Sequence, residues 1–92
     1  MYNLNPQEIP YDSPESCNMF VPNPKPFVVT PGVMEEHGET AIDTCLAKLQ
    51  ALAVIHHGLD YLQSFTCPGK EPLWFIEDGD GGAITALLPS EY

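Results

Sequence analysis

From Glu39 to Phe65 a stripe of apolar positions and one histidine returns at intervals of three and four: Ile42, Cys45, Leu46, Leu49, Leu52, Ala53, His56 and Leu59. At 3.6 residues per turn these positions share one face, so the segment is predicted to form one long amphipathic helix. Glu35, Glu36, Glu39 and Asp43 stand at its beginning, where carboxylates meet the positive end of the helix dipole. Two signals disagree about where it starts. Thr30-Pro31 fits an N-cap followed by proline at the first helical position, whereas Gly38 favours a later start. Gly58 is expected to bend or shorten the helix, and Cys67-Pro68-Gly69 to end it.

The pattern then changes. Leu73-Trp74-Phe75-Ile76 is rich in strand formers, and Ala83 to Leu88 is a second apolar run. Between them lies Glu77-Asp78-Gly79-Asp80-Gly81-Gly82, whose three glycines would cost a helix roughly 3 kcal/mol but suit a tight turn. A β-hairpin with strands near 72–77 and 83–88 is therefore predicted, and Phe27 to Val29 is a candidate third strand.

The first 31 residues hold seven of the ten prolines. Proline fixes φ and donates no backbone hydrogen bond, so this stretch can be neither a helix nor a central strand. Its apolar residues, among them Phe20, Val21, Phe27, Val28 and Val29, imply an arm that packs on its own domain or on a neighbouring subunit. The expected organisation is an extended proline-rich arm over 1–31 and a small domain over 32–92. The expected fold class is α+β: the arm, one long amphipathic helix and a C-terminal β-hairpin. The alternative is an all-α helical hairpin in a dimer.

Charge narrows the partners. The chain has 13 Asp and Glu against three lysines, Lys25, Lys48 and Lys70, and no arginine, for a net charge of −10 in 92 residues. Such a chain repels phosphate, so direct binding to nucleic acid or to an anionic membrane surface is not expected, and a basic protein is the electrostatic complement. The start of the sequence lacks the charged and apolar regions of a secretory signal, and the longest aliphatic stretch, Ala51 to Ile55, is far short of a membrane span. Cytoplasmic residence is expected. Cys17, Cys45 and Cys67 are odd in number and widely spaced, which favours reduced thiols, with a Cys17–Cys67 bridge as the alternative.

Without the arm, only about 60 residues remain, a size at which a core buries too little surface for comfortable stability. A homodimer is expected to cover the helix stripe, with Ile42, Cys45, Leu49, Leu52, His56 and Leu59 as its seam.

Pro26-Phe27-Val28-Val29-Thr30-Pro31-Gly32-Val33, the amphipathic helix with its cysteine and leucines, Leu73-Trp74 and Ala83 to Leu88 together resemble short pseudomonad proteins of unknown function. Those begin with a Pro-Phe-x-Val-x-Pro-Gly stretch and continue as two helices, and the resemblance covers roughly 26–88. It implies a helical C-terminal segment, from which the Asp78-to-Gly82 run departs. It implies no activity.

Candidate chemistry is sparse. His56 and His57 point about 100° apart on a helix, and Cys45 lies about 16 Å from His56 along the axis, so these do not chelate one ion. Zinc would need Cys17, Cys67 or His37 brought to one spot with none of the usual short spacings. The plainer reading puts His56 in the apolar stripe, where its protonation below about pH 6 would weaken a dimer seam. Asp78-Gly79-Asp80 fails as a calcium loop, because Gly82, Ala83 and Pro89 occupy positions that need an oxygen ligand, glycine and glutamate. No nucleophile elbow, P-loop, dinucleotide fingerprint or zinc-protease motif occurs, so neither an enzyme nor a cofactor is expected.

The acidic clusters remain: Glu35, Glu36, Glu39 and Asp43 at the helix start, and Glu77, Asp78 and Asp80 in the turn. Placed on one side of the molecule they would form a negative patch able to occupy a basic groove. The plainer reading is that they solvate a helix start and a turn. Trp74 and Phe75 are candidate anchors beside them, with a place in the core as the equally weighted alternative. The expected function is a non-enzymatic acidic binding protein that regulates or inhibits a partner protein. A structural or assembly subunit is the alternative, and a thiol- or metal-dependent activity through the cysteines and histidines the third.

Overall fold

The computed structural model describes residues 2–4, 20–21, 25–56, 58–59, 61–77 and 82–92. They form a mixed α+β unit: β1 (Asn3–Leu4), β2 (Phe27–Val29), α1 (Pro31–His37), α2 (Glu39–His56), β3 (Leu62–Thr66), β4 (Leu73–Glu77), β5 (Ile84–Leu87), and a closing 3₁₀ turn, Pro89–Glu91. The strands make one sheet in the order β1-β3-β4-β5-β2. The β3-β4-β5 meander is antiparallel, β1 joins it antiparallel, and β2 lies parallel to β5.

The predicted hairpin is the β4-β5 pair, in the register Trp74↔Leu87, Phe75↔Ala86, Ile76↔Thr85 and Glu77↔Ile84. Its tight turn, 78–81, lies outside the described residues. Phe27 to Val29 supplies a strand, as predicted. Both edge strands come from the proline-rich segment, the one place in a sheet where its chemistry is tolerated, because an edge leaves half the backbone donors unpaired. Phe20, from the same segment, is fully buried in the core. The described part of the arm thus packs on its own domain.

Both starting signals of the helix are honoured. Thr30 caps α1, its hydroxyl accepting from the Val33 amide at 3.3 Å, with Pro31 in the first turn. Gly38, at φ 85°, then breaks the chain into two helices, and α2 restarts at Glu39. The predicted extent to Phe65 is corrected: α2 stops at His56, and the Gly58 amide, at φ 118°, donates to the Ala53 carbonyl at 2.9 Å. A side chain at that φ would be strained, so glycine ends the helix here. Leu62–Thr66 is a strand, and Leu59 precedes it outside the helix. Cys67-Pro68-Gly69, expected to end a helix, instead turns β3 into β4. Lys70 N–H donates to Cys67 C=O at 3.1 Å, and Gly69 sits at φ 81°, as a Pro-Gly type II turn needs.

The core lies between one face of the sheet and the two helices. Val33 of α1 and Ile42, Cys45, Leu49 and Ala53 of α2 meet Phe65, Leu73, Phe75, Ile84 and Ala86 of the strands. Phe75 is central: Phe65 meets it edge-on at 5.8 Å, and Phe27 stacks on it at 6.4 Å.

Candidate binding face on the sheet

Side chains alternate across a strand, so the register that turns Leu73, Phe75, Ile84 and Ala86 toward the helices turns Trp74, Ile76, Thr85 and Leu87 the other way. Val28, paired with Thr85, and Leu62, paired with Ile76, extend this second face. Both helices pack on the opposite side. Ile76, Thr85, Leu87 and Tyr92 line a shallow groove of about 250 Å³ here. Tyr92 is 71% exposed and meets the half-buried Trp74 edge-on, ring centres 5.7 Å apart. Val28, at 47% exposure, adds an apolar flank.

The turn that carries Tyr92 is fastened by carboxylates. The Glu91 side chain accepts from the Thr30 hydroxyl at 2.6 Å and from the Leu88 amide at 2.9 Å. These two bonds, the Thr30 hydroxyl first, hold its pKa below the ordinary glutamate value, so it stays charged in mild acid. Gly32 permits the approach: a Cβ there would sit 2.6 Å from a Glu91 carboxylate oxygen. Glu71 accepts from the Ser90 amide at 2.9 Å, and Glu36 accepts from the Glu71 amide at 3.0 Å. In a chain without arginine, carboxylates here satisfy backbone donors.

This use of acids takes Glu77 out of the expected patch. Glu77 is not at the surface: it is 3% exposed, paired with Lys25 at 2.8 Å and accepting from the Phe20 amide at 2.8 Å. It faces inward because the β4 alternation puts it on the side of Leu73 and Phe75. Glu36 is half-buried, and its own carbonyl accepts from Lys70 at 2.7 Å. Glu35, Glu39 and Asp43 are exposed. Asp78 and Asp80 lie outside the described residues. Of the two candidate anchors, Phe75 takes the core place, fully buried, and Trp74 is on the second face.

Of the expected seam, Ile42, Cys45 and Leu49 are buried within the chain itself, Leu52 and His56 are half-buried, and Leu59 is buried just beyond the helix. The outer side of α2 instead exposes Ala47, Ala51, Val54 and Ile55 beside Lys48, with Val54 and Ile55 at 56% and 67%. The sequence reasoning missed Val28, Ile76, Thr85, Leu87 and Tyr92. A period-two reading of Trp74, Ile76, Thr85 and Leu87 as a face in its own right would have found four features of one surface.

A second cluster surrounds His37. The Tyr2 hydroxyl lies 2.6 Å from Nδ1 of His37, and the buried Nε2 makes no well-aligned hydrogen bond among the described residues, with the Glu71 and Pro72 carbonyls close to the ring. Burial lowers the His37 pKa, and burial raises that of Tyr2, so both remain neutral at pH 7. Cys45 is buried nearby, and burial pushes its thiol up to about 11. An unreactive thiol follows. Cys17 and His57 lie outside the described residues. Among the described residues, no group of three or more His, Cys, Asp or Glu is placed to hold a metal ion. Among them, too, no helix is long and apolar enough to cross a membrane.

Comparison with protein-family models, with curated proteins and with solved structures returns no match.

Proposed function

We propose that this chain is a non-enzymatic binding protein that docks a partner protein on the second face of its sheet. The observation that carries the reading is the groove of Ile76, Thr85, Leu87 and Tyr92, flanked by Trp74 and Val28, on the face of the sheet away from the helices. Aromatic residues in a partly apolar recess are the usual anchors of protein interfaces. The net charge of −10 adds the electrostatic part: a partner segment with an apolar anchor and flanking basic residues fits best. Occupancy by such a segment would regulate or inhibit the partner. The cytoplasm is the setting proposed for it, and nucleic acid is not the proposed ligand.

Trp74 is the chain's one tryptophan and therefore a direct reporter. The test captures partners on wild-type, Val28→Glu and Tyr92→Ala baits at low and high salt, then follows Trp74 emission as a purified partner is added. Loss of the partner from both variants, with a Trp74 blue shift in wild type, supports the reading. A partner held equally by all three baits removes this face from it.

A second reading is an assembly role, a homodimer included, through the outer side of α2. Its second half is apolar nearly all round, and such helices are normally covered. Light scattering on wild type and Ile55→Glu separates the two. A mass of 10.1 kDa at every concentration would remove the homodimer.

A further inference from the structure

Strand β1 has two residues and pairs only with the end of β3, Asn3 opposite Thr66 and Leu4 opposite Phe65. So short a strand holds poorly by its ladder alone. The residue before it adds a second hold: Tyr2 meets His37 edge-on, ring centres 5.3 Å apart, and its hydroxyl lies 2.6 Å from Nδ1. His37, the last residue of α1, is 9% exposed. With the Tyr2 hydroxyl donating to Nδ1, the neutral ring carries its proton on the buried Nε2, which makes no well-aligned hydrogen bond among the described residues.

We propose that the Tyr2–His37 contact is an acid-released clasp, which holds β1 on the sheet while the imidazole is neutral and lets it go when the imidazole takes a proton. On protonation the Tyr2 oxygen can turn to accept from Nδ1. The charge, however, is left in a site that water does not reach, and detaching β1 is the route by which the ring regains solvent.

Glu36 on α1 and the backbone carbonyls of Glu71 and Pro72 favour the protonated form, while Lys70 and burial oppose it, burial most strongly. Tyr2 feels Cys67, Cys45 and Glu36, which together with burial keep its hydroxyl protonated and able to donate. The sign follows. The attached state binds the proton less well than the detached state, whose imidazole returns toward a pKa of about 6.5. Closure is therefore undisturbed above that pH. Below it, the detached fraction rises by up to about tenfold per pH unit until the ring of the attached state also titrates.

The test is amide exchange by NMR on the full chain between pH 7.5 and 5.0, corrected for intrinsic exchange, in wild type, His37→Gln and Tyr2→Phe. In wild type the opening of Asn3, Leu4 and Thr66 should rise about tenfold across this range, with Phe75 and Ala86 unchanged. His37→Gln should flatten that response, and Tyr2→Phe should open β1 already at pH 7.5. A flat wild-type response, an equal response in His37→Gln, or parallel opening of Phe75 and Ala86 would overturn the clasp. Should His37→Gln not fold, the wild-type ring shifts decide: titration of His37 at or above pH 6.5 with β1 still protected overturns it as well.

Discussion

Replacing Glu77 with alanine removes the acceptor of two buried donors at once. Its Oε1 lies 2.8 Å from the Lys25 ammonium and 2.8 Å from the Phe20 amide, and the two charged side chains are 2% and 9% exposed. Deleting one member of a buried ion pair typically costs about 3–5 kcal/mol when the other is left uncompensated, and because Lys25 has a further interaction the lower end, about 3 kcal/mol, applies. The orphaned Phe20 amide falls partly within that range, since an unmet buried donor costs about 1–3 kcal/mol. Phe20 also holds a left-handed φ of 64°, unusual outside glycine, and the Glu77 bond is one of the contacts that keeps it there. Against a total stability of about 5–10 kcal/mol for a domain of this size, Glu77→Ala should leave a marginal protein. Urea unfolding at pH 7, followed by far-UV circular dichroism and Trp74 emission, measures the loss. The double substitution Lys25→Met/Glu77→Gln removes both charges and keeps an acceptor for Phe20, so it should recover about 2–4 kcal/mol relative to the sum of the single changes. A loss below about 1 kcal/mol in Glu77→Ala, or strict additivity in the cycle, would refute the view that this pair fastens the proline-rich segment to the sheet.

Three further outcomes follow from particular positions. Gly38→Ala has open space for its methyl group but must adopt φ 85°, so it should destabilise by about 1 kcal/mol in the same urea experiment, through the backbone alone. Leu49→Ala leaves a cavity at a fully buried position on α2 and should cost about 2–5 kcal/mol, whereas Ile55→Ala, at 67% exposure, should change stability by less than about 0.5 kcal/mol in the monomer. The Cys45 thiol, pushed up to about 11 by burial, should resist a disulfide-exchange reagent at pH 8 in the folded protein and react once urea exposes it. Because its folded pKa lies above the unfolded value, the stability tied to it is intact below about pH 8.5 and drains away as pH rises toward 11, a loss that Cys45→Ala should flatten.

Much of the fold was legible because local chemistry and tertiary structure agree there. Thr30-Pro31 and Gly38 each carry a backbone instruction that no distant contact needs to supply, and both were obeyed, as two helices rather than one. The apolar runs around residues 73–76 and 83–88 paired as read. The segment after Gly58 was misread for a physical reason. Leu59, Leu62 and Phe65 keep a spacing of three that continues the helical rhythm, although in the strand Leu62 and Phe65 point to opposite faces. Only the edges offered by β4 and β1 decide that Leu62–Thr66 is extended. The Pro68-Gly69 turn reads as a helix stop or a hairpin turn with equal ease until its flanking strands are known.

The candidate site shows the same division. Sequence alone determined the charge balance, the strand at Phe27 to Val29, the capped helix start and the buried stripe of α2, because these depend on residue type and short-range spacing. Tertiary structure alone decided which aromatic of the Trp74-Phe75 pair meets solvent, that Glu77 turns inward to Lys25, and that Tyr92 returns to Trp74 to wall a groove. Those choices hang on strand register, and register is set by pairing between residues far apart in the chain. A shift of one residue would exchange the two faces of the sheet, burying Trp74 and exposing Phe75. Helix and turn signals are written within a few residues; the sidedness of a sheet is written only when its strands meet.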